Sequence, residues 1–255
     1  MPENLVLLSA GLDSAVNFLI AREKGEVGAA VTVDYGQKAA RREVERSRAL
    51  CERYGVRHIV LAAGWLGEIS GGALSDVGVA LPRVRREQLG DTAFLEQSMR
   101  AVWVPNRNGL LANMGACVAE ALGLSRVVMG LNAEEGASFR DNSPAFVREI
   151  NRALAYSTLS GVRLRSFTIA WNKMEIFRAA MSYDLDFRLI WSCYNGDDLM
   201  CGRCESCVRL AEAAAGAGAP EKLEGMFARE GPRRSARSKG KGNERKIYQG
   251  QKDQL

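Results

Sequence analysis

Histidine is nearly missing from this chain: His58 is the one imidazole in 255 residues. It lies in a strand-like segment and is read as a structural residue. No run of eighteen apolar residues occurs, which excludes a membrane-spanning helix. The start, Met1-Pro2-Glu3-Asn4, lacks the basic segment and small-residue cleavage site of a signal peptide, so a cytoplasmic protein is expected. The Gly-Lys-Ser/Thr of a Walker loop and the G-x-G-x-x-G dinucleotide fingerprint are both absent. No internal repeat is evident. Excess charge is also missing from most of the chain. The formal net charge is +5, yet residues 229–255 hold nine Lys or Arg against three Asp or Glu, which leaves the rest near −1. A general nucleic-acid-binding surface is therefore not indicated, and nucleic acid is expected only through the basic tail, if at all.

What is present reads as an α/β protein. Apolar strands are expected at 4–8, 28–33, 57–62, 126–131 and 165–169. Helices are expected at 13–24, 37–54, 107–122, 144–160, 173–182 and 205–215. Such alternation implies a Rossmann-like parallel sheet with helices on both faces. The pattern weakens over 64–100, read as a long excursion near the site. Residues 1–190 are expected to form the main domain, 191–215 a cysteine motif with a closing helix, and 216–228 a linker. Residues 229–255 form a basic tail whose composition predicts disorder.

The first specific signal is Leu8-Ser9-Ala10-Gly11-Leu12-Asp13-Ser14, where strand one hands over to helix one. Ligands bind at that edge of a parallel sheet. A helix N-terminus offers unpaired N–H groups and a positive dipole end, and small residues let backbone close around an anion. Asp13 is odd beside phosphates unless a cation such as Mg²⁺ bridges them. The same Ser and Asp would also serve as a plain helix cap.

The second signal is Cys193-x7-Cys201-x2-Cys204-x2-Cys207. Four thiolates in tetrahedral array describe a closed structural zinc site. The spacing also suits an iron–sulfur cluster.

The loop resembles the PP-loop of ATP pyrophosphatases, usually Ser-Gly-Gly-x-Asp-Ser, with Ala10 in place of the first glycine. That methyl is tolerable at negative φ and strained at positive φ. With "VTVDYGQ" (31–37), "VPNRNGLLAN" (104–113), "MGLNAEE" (129–135), "NKMEIF" (172–177) and "WSCYNGDDLMCGRCESC" (191–207) in order, residues 3–212 resemble the 7-cyano-7-deazaguanine synthase family, the QueC family. The resemblance implies a carbon–nitrogen ligase using ATP, Mg²⁺ and Zn²⁺, often a homodimer. Its substrates would be a deazaguanine carboxylate and ammonia. The carboxylate is adenylated, ammonia gives the amide, and a second activation dehydrates it to the nitrile. It implies that Leu8, Ser9, Ala10, Gly11, Leu12, Asp13 and Ser14 bind the nucleotide, with Ser9, Gly11, Asp13 and Ser14 holding the pyrophosphate, and that Asp13, Ser14 and Lys173 are catalytic. It places Asp34, Tyr35, Gln37, Arg107, Asn108, Gly130 and Asn132 around the nucleotide, and makes Cys193, Cys201, Cys204 and Cys207 the metal ligands. A chain with one histidine suits such chemistry, which works mainly by positioning and charge neutralisation.

Some positions depart from the family pattern. Asn106 stands where glycine is usual, Glu135 and Ala170 where aspartate is usual, and Asp141-Asn142 replaces Asp-Cys. Three other readings stay open: a divergent ligase acting on another carboxylate or acceptor, a tRNA thiolase type, and a non-catalytic zinc or nucleic-acid-binding module.

Overall fold

A computed structural model describes residues 3–25 and 27–228. The sheet starts with β1 (Asn4–Leu7), whose successive side chains point to opposite faces, as a strand requires. Val6 joins one core and Leu5 and Leu7 the other. α1 (Leu12–Gly25), β2 (Val27–Asp34), α2 (Ala40–Tyr54) and β3 (His58–Ala62) follow. α2 starts three residues later than expected because the Gln37 side chain folds back onto the main chain of Tyr35 and Val33. It stops at Gly55, in the left-handed region at φ 64°, whose N–H closes the last turn.

The stretch read as an excursion contains α3 (Trp65–Ser70) and α4 (Thr92–Val102), the latter capped by Asp91. Then come α5 (Arg107–Ala121), β4 (Arg126–Val128), α6 (Ala133–Ser138), α7 (Pro144–Ser157), β5 (Arg163–Arg165), α8 (Lys173–Ser182) and α9 (Glu205–Gly216). β4 is shorter than expected, and β5 is shorter and starts two residues earlier than expected. Past their ends the Ser166 and Thr168 hydroxyls, rather than backbone N–H groups, donate to the Leu131 carbonyl.

All strands pair in parallel, in the order β3-β2-β1-β4-β5. The chain leaves β1 toward β2 and leaves β4 toward β5, so a crevice opens between β1 and β4 at their carboxyl ends. That is the topological switch point where such sheets bind ligands. Helices cover both faces: α1, α8 and α9 bury one core, and α5 and α7 the other.

Residues 216–228, expected as a linker, are instead packed. Leu223 is buried, and the main chains of Met226 and Ala228 bond Met200 within the cysteine segment. Apolar Leu223, Met226 and Phe227 explain the difference: they join the same core as α8 and α9. The basic tail lies outside the described residues.

Candidate active site

The loop after β1 forms a small hydroxyl-lined turn. The Ser14 hydroxyl donates to the Gly11 carbonyl at 3.0 Å and lies 3.3 Å from the Ser9 hydroxyl. The first turn of α1 then aims its N–H groups outward, the usual cradle for an anion. Ala10 answers the question its methyl raised: φ is +55°, so it stands in the left-handed region. An L-residue there carries about 1–2 kcal/mol of strain. Its carbonyl accepts the Trp191 N–H at 2.8 Å, which holds it in place. Asn106 likewise sits at φ +50°, where asparagine is the best tolerated non-glycine residue.

The turn just after β4 approaches the loop closely. A Cβ on Gly130 would lie 2.6 Å from the Ser14 nitrogen, so only glycine lets the two segments meet.

Asp13, on the first turn of α1, is the centre of a charged knot. Its Oδ2 accepts Lys173 Nζ at 2.6 Å and Asn132 Nδ2 at 2.9 Å. Lys173 Nζ also donates to Glu135 Oε1 at 3.0 Å. Burial works against the charge on Lys173, but Asp13 and Glu135 more than offset it and hold the ammonium above its ordinary range. Local sequence sets this geometry. Asn172 and Glu175 form a reciprocal cap that starts α8 at Lys173, and Asn132 caps α6 through the Glu135 N–H. Among the described residues the Asp13 Oδ1 is buried with no hydrogen-bond partner. A carboxylate oxygen in that state suits a hard cation such as Mg²⁺.

The knot continues away from the loop. Glu134 accepts the Lys173 main-chain N–H at 2.8 Å and bonds Arg209 at 3.1 Å. Arg209 pairs with Glu205 at 3.0 Å, and Glu205 accepts Ser98 Oγ at 3.1 Å. Thus α9, which carries Cys207, is wired to α8 and α4.

The loop, Asp13, Glu135 and Lys173 line one cavity of 220 Å³. Leu8, Ser9, Gly11, Leu12, Asp13, Ser14, Gly130 and Lys173 form one wall. Tyr35, Gln37, Arg107 and Asn108 form another. Three expected residues stay off the wall. Ala10 is wholly buried behind it. Asn132 works through Asp13, and Asp34 accepts the Gly36 N–H at 3.0 Å in a local turn. Asn142, in the stretch 132–143 that the resemblance places near the base-binding pocket, also lines the cavity. Glu43, Trp191 and Tyr194 line it too, and no role for them was expected from the sequence. Trp191 and Tyr194 sit in the distinctive run around Cys193, which was their available signal. Glu43 had none, being one acid among many charges on α2. Ala170 is exposed. His58 Nε2 lies 2.8 Å from Thr32 Oγ1, and burial with nearby Arg48 holds its imidazole below the usual range. That agrees with a structural role.

The four cysteines converge: their sulfur atoms lie within 4.8 Å of one another. Main-chain N–H groups point at two of them. Asn195 and Cys201 donate to Cys193 Sγ at 3.3 and 3.2 Å, and Cys204 donates to Cys201 Sγ at 3.3 Å. N–H donors of this kind favour thiolates, and the donor set fits a soft or borderline metal ion. Cys193 also lines the cavity, so the metal-binding group supports one wall of it.

The model of the family described as queuosine biosynthesis protein QueC matches residues 3–218. The 7-cyano-7-deazaguanine synthase of Desulforudis audaxviator is 47% identical over 216 residues, covering 85% of this chain and 98% of that one. The enzyme of the same name from Pelotomaculum thermopropionicum is 47% identical over 215 residues, covering 84% and 97%. The one from Methanosarcina barkeri is 41% identical over 222 residues, covering 86% and 96%. By this match over most of its length and these relatives, the chain belongs to the QueC family.

Proposed function

We propose that the chain is an ATP-dependent ligase that converts 7-carboxy-7-deazaguanine and ammonia to 7-cyano-7-deazaguanine, for queuosine biosynthesis in the cytoplasm. The observation that carries this reading is the loop Ser9–Ser14 facing a cavity at the switch point, with Asp13 pinned by Lys173 and one carboxylate oxygen left open. The relatives' names supply the product, and the carboxylate substrate is the one implied by the family resemblance.

A carboxylate is a poor electrophile. Its oxygen attacks the α-phosphorus of ATP, pyrophosphate leaves, and an acyl-adenylate forms. The nitrogen of ammonia then attacks the acyl carbon, a proton is lost and AMP departs, leaving the amide. A second ATP activates the amide oxygen in the same way. Loss of AMP and of both amide N–H protons then yields the nitrile. The protein's part is to align and neutralise. The loop N–H groups with Ser9 and Ser14 receive the departing pyrophosphate. Lys173 adds a positive charge there while fixing the Asp13 carboxylate. Mg²⁺, held by Asp13, would neutralise the phosphate charge. Zn²⁺ on Cys193, Cys201, Cys204 and Cys207 would hold the wall from Trp191 to Tyr194 in place, with no open ligand position for chemistry. A homodimer belongs to the same reading, and light scattering on the purified protein checks it.

Mass spectrometry of protein supplied with Mg-ATP, ammonium and 7-carboxy-7-deazaguanine tests the proposal. The amide and then the nitrile are expected, with AMP and pyrophosphate. Cleavage of ATP without either product would move the reading to another carboxylate. No cleavage at all would leave a binding module.

A further inference from the structure

Three carboxylates line the cavity: Asp13, Glu43 and Glu135. Asp13 and Glu135 are both bonded to Lys173. Glu43 is different. Among the described residues its side chain meets no cation within bonding distance, and its one hydrogen bond is from neutral Gln37, Nε2 to Oε2 at 2.9 Å. Gln37 is fixed on its other side, since Oε1 accepts the Tyr35 N–H at 2.8 Å and Nε2 also reaches the Val33 carbonyl at 3.1 Å. A rigid post therefore holds one Glu43 oxygen and leaves the other open to the cavity.

A carboxylate in that setting lacks donors. Burial pushes its carboxyl up to about 7, although Gln37 and Arg107 both pull it down. A half-buried acceptor with vacant lone pairs is costly until a ligand satisfies it. Around it stand Tyr35, Arg107 and Leu74, a wall suited to a flat polar ring. Arg107 Nη1 lies 3.5 Å from the Tyr35 hydroxyl.

A guanine-like pyrimidine ring presents two donors side by side, a ring N–H and an exocyclic amine. Both can be accepted by one carboxylate, whose oxygens keep lone pairs free even after the Gln37 bond. We infer that Glu43 is the specificity residue that reads this donor pair and so selects a 2-aminopyrimidinone ring. The inference rests on the function proposed above and adds the group that recognises the base.

The test compares two bases, 7-carboxy-7-deazaguanine and its analogue without the 2-amino group, on wild type and Glu43→Gln. Wild type is expected to favour the first by about 100-fold or more in kcat/KM, because an unfilled acceptor rejects a ligand lacking the donor. Glu43→Gln should narrow that preference to about fivefold or less, mainly through the KM of the base, with the KM of ATP within about twofold. Should Glu43→Gln fail to fold, Glu43→Asp withdraws the carboxylate by one methylene and should narrow the preference in the same direction. An unchanged preference, or an effect confined to the KM of ammonium, overturns the inference. Failure of wild type to use 7-carboxy-7-deazaguanine overturns the function reading and this inference together. That outcome appears without any variant, so the two failures are distinguishable.

Discussion

The main-chain N–H of Trp191 donates to the carbonyl of Ala10 at 2.8 Å. This bond ties the start of the cysteine segment to the phosphate loop and holds Ala10 at φ +55°. Ala10→Gly removes about 1–2 kcal/mol of left-handed strain. It also loses a buried methyl worth about 0.8 kcal/mol and frees the unfolded chain by about 0.4–1 kcal/mol. These terms nearly cancel, so stability should stay within about 1 kcal/mol of wild type in urea melts. Ala10→Val adds a β-branched side chain at positive φ in a fully buried position and should cost about 3 kcal/mol or more. Equal melts for the two variants would contradict the observed φ.

Lys173 neutralises two acids in one buried site. Lys173→Met leaves both without a cation, and breaking a buried pair costs about 3–5 kcal/mol. The loss should be smaller at pH 5 than at pH 8, since protonation relieves buried carboxylates at the lower pH. Pyrophosphate release should fall by about 100-fold or more, in line with removing a positioned charge from a reacting phosphate. Paired urea melts and a pyrophosphate assay check both. Wild-type release by a folded variant would remove Lys173 from the mechanism.

Cys204 immediately precedes α9 and contributes one of four converging sulfurs. Cys204→Ala leaves three ligands. Metal content should fall from about one ion per chain to a small fraction, with loss of soluble, folded protein, because a structural metal's binding energy is folding energy. Unchanged zinc by elemental analysis, together with an unchanged melt, would contradict the assignment.

Glu43 makes ligand-free stability depend on pH. Its carboxyl is raised from 4.5 to about 7 by burial. The native state therefore holds this proton more tightly than the unfolded chain between those values. Stability falls as pH rises through that window, and the penalty is complete above about pH 7. Glu43→Gln removes the effect. It should match wild type near pH 4 and be more stable by about 1–3 kcal/mol at pH 8, as read from urea midpoints. A constant offset at both pH values would contradict the raised carboxyl.

The parts of the site legible in the sequence were those made of neighbours in the chain. The four cysteines lie within fifteen residues, so their spacing carried their chemistry, while Ser9–Ser14, which a plain helix cap would also explain, was read through its resemblance to the PP-loop. The parallel sheet followed from alternating apolar runs for the same reason. What stayed hidden depends on distant partners. The φ of Ala10 goes with a bond to Trp191, and the function of Asn132 is visible only once Asp13 is beside it. Glu43 looks like any charge on a solvated helix until β2 and α5 enclose it. β4 was overextended and β5 placed two residues late because side-chain hydroxyls replace backbone pairing past their ends, which no hydrophobic pattern records.

The central claim is that the substrate carboxylate is adenylated. It is tested most directly with 7-carboxy-7-deazaguanine labelled with ¹⁸O in both carboxylate oxygens, turned over with Mg-ATP and ammonium. The account predicts one ¹⁸O in each AMP formed, none in pyrophosphate, and a nitrile free of label. Label in inorganic phosphate with ADP as coproduct, or AMP without label, would contradict it.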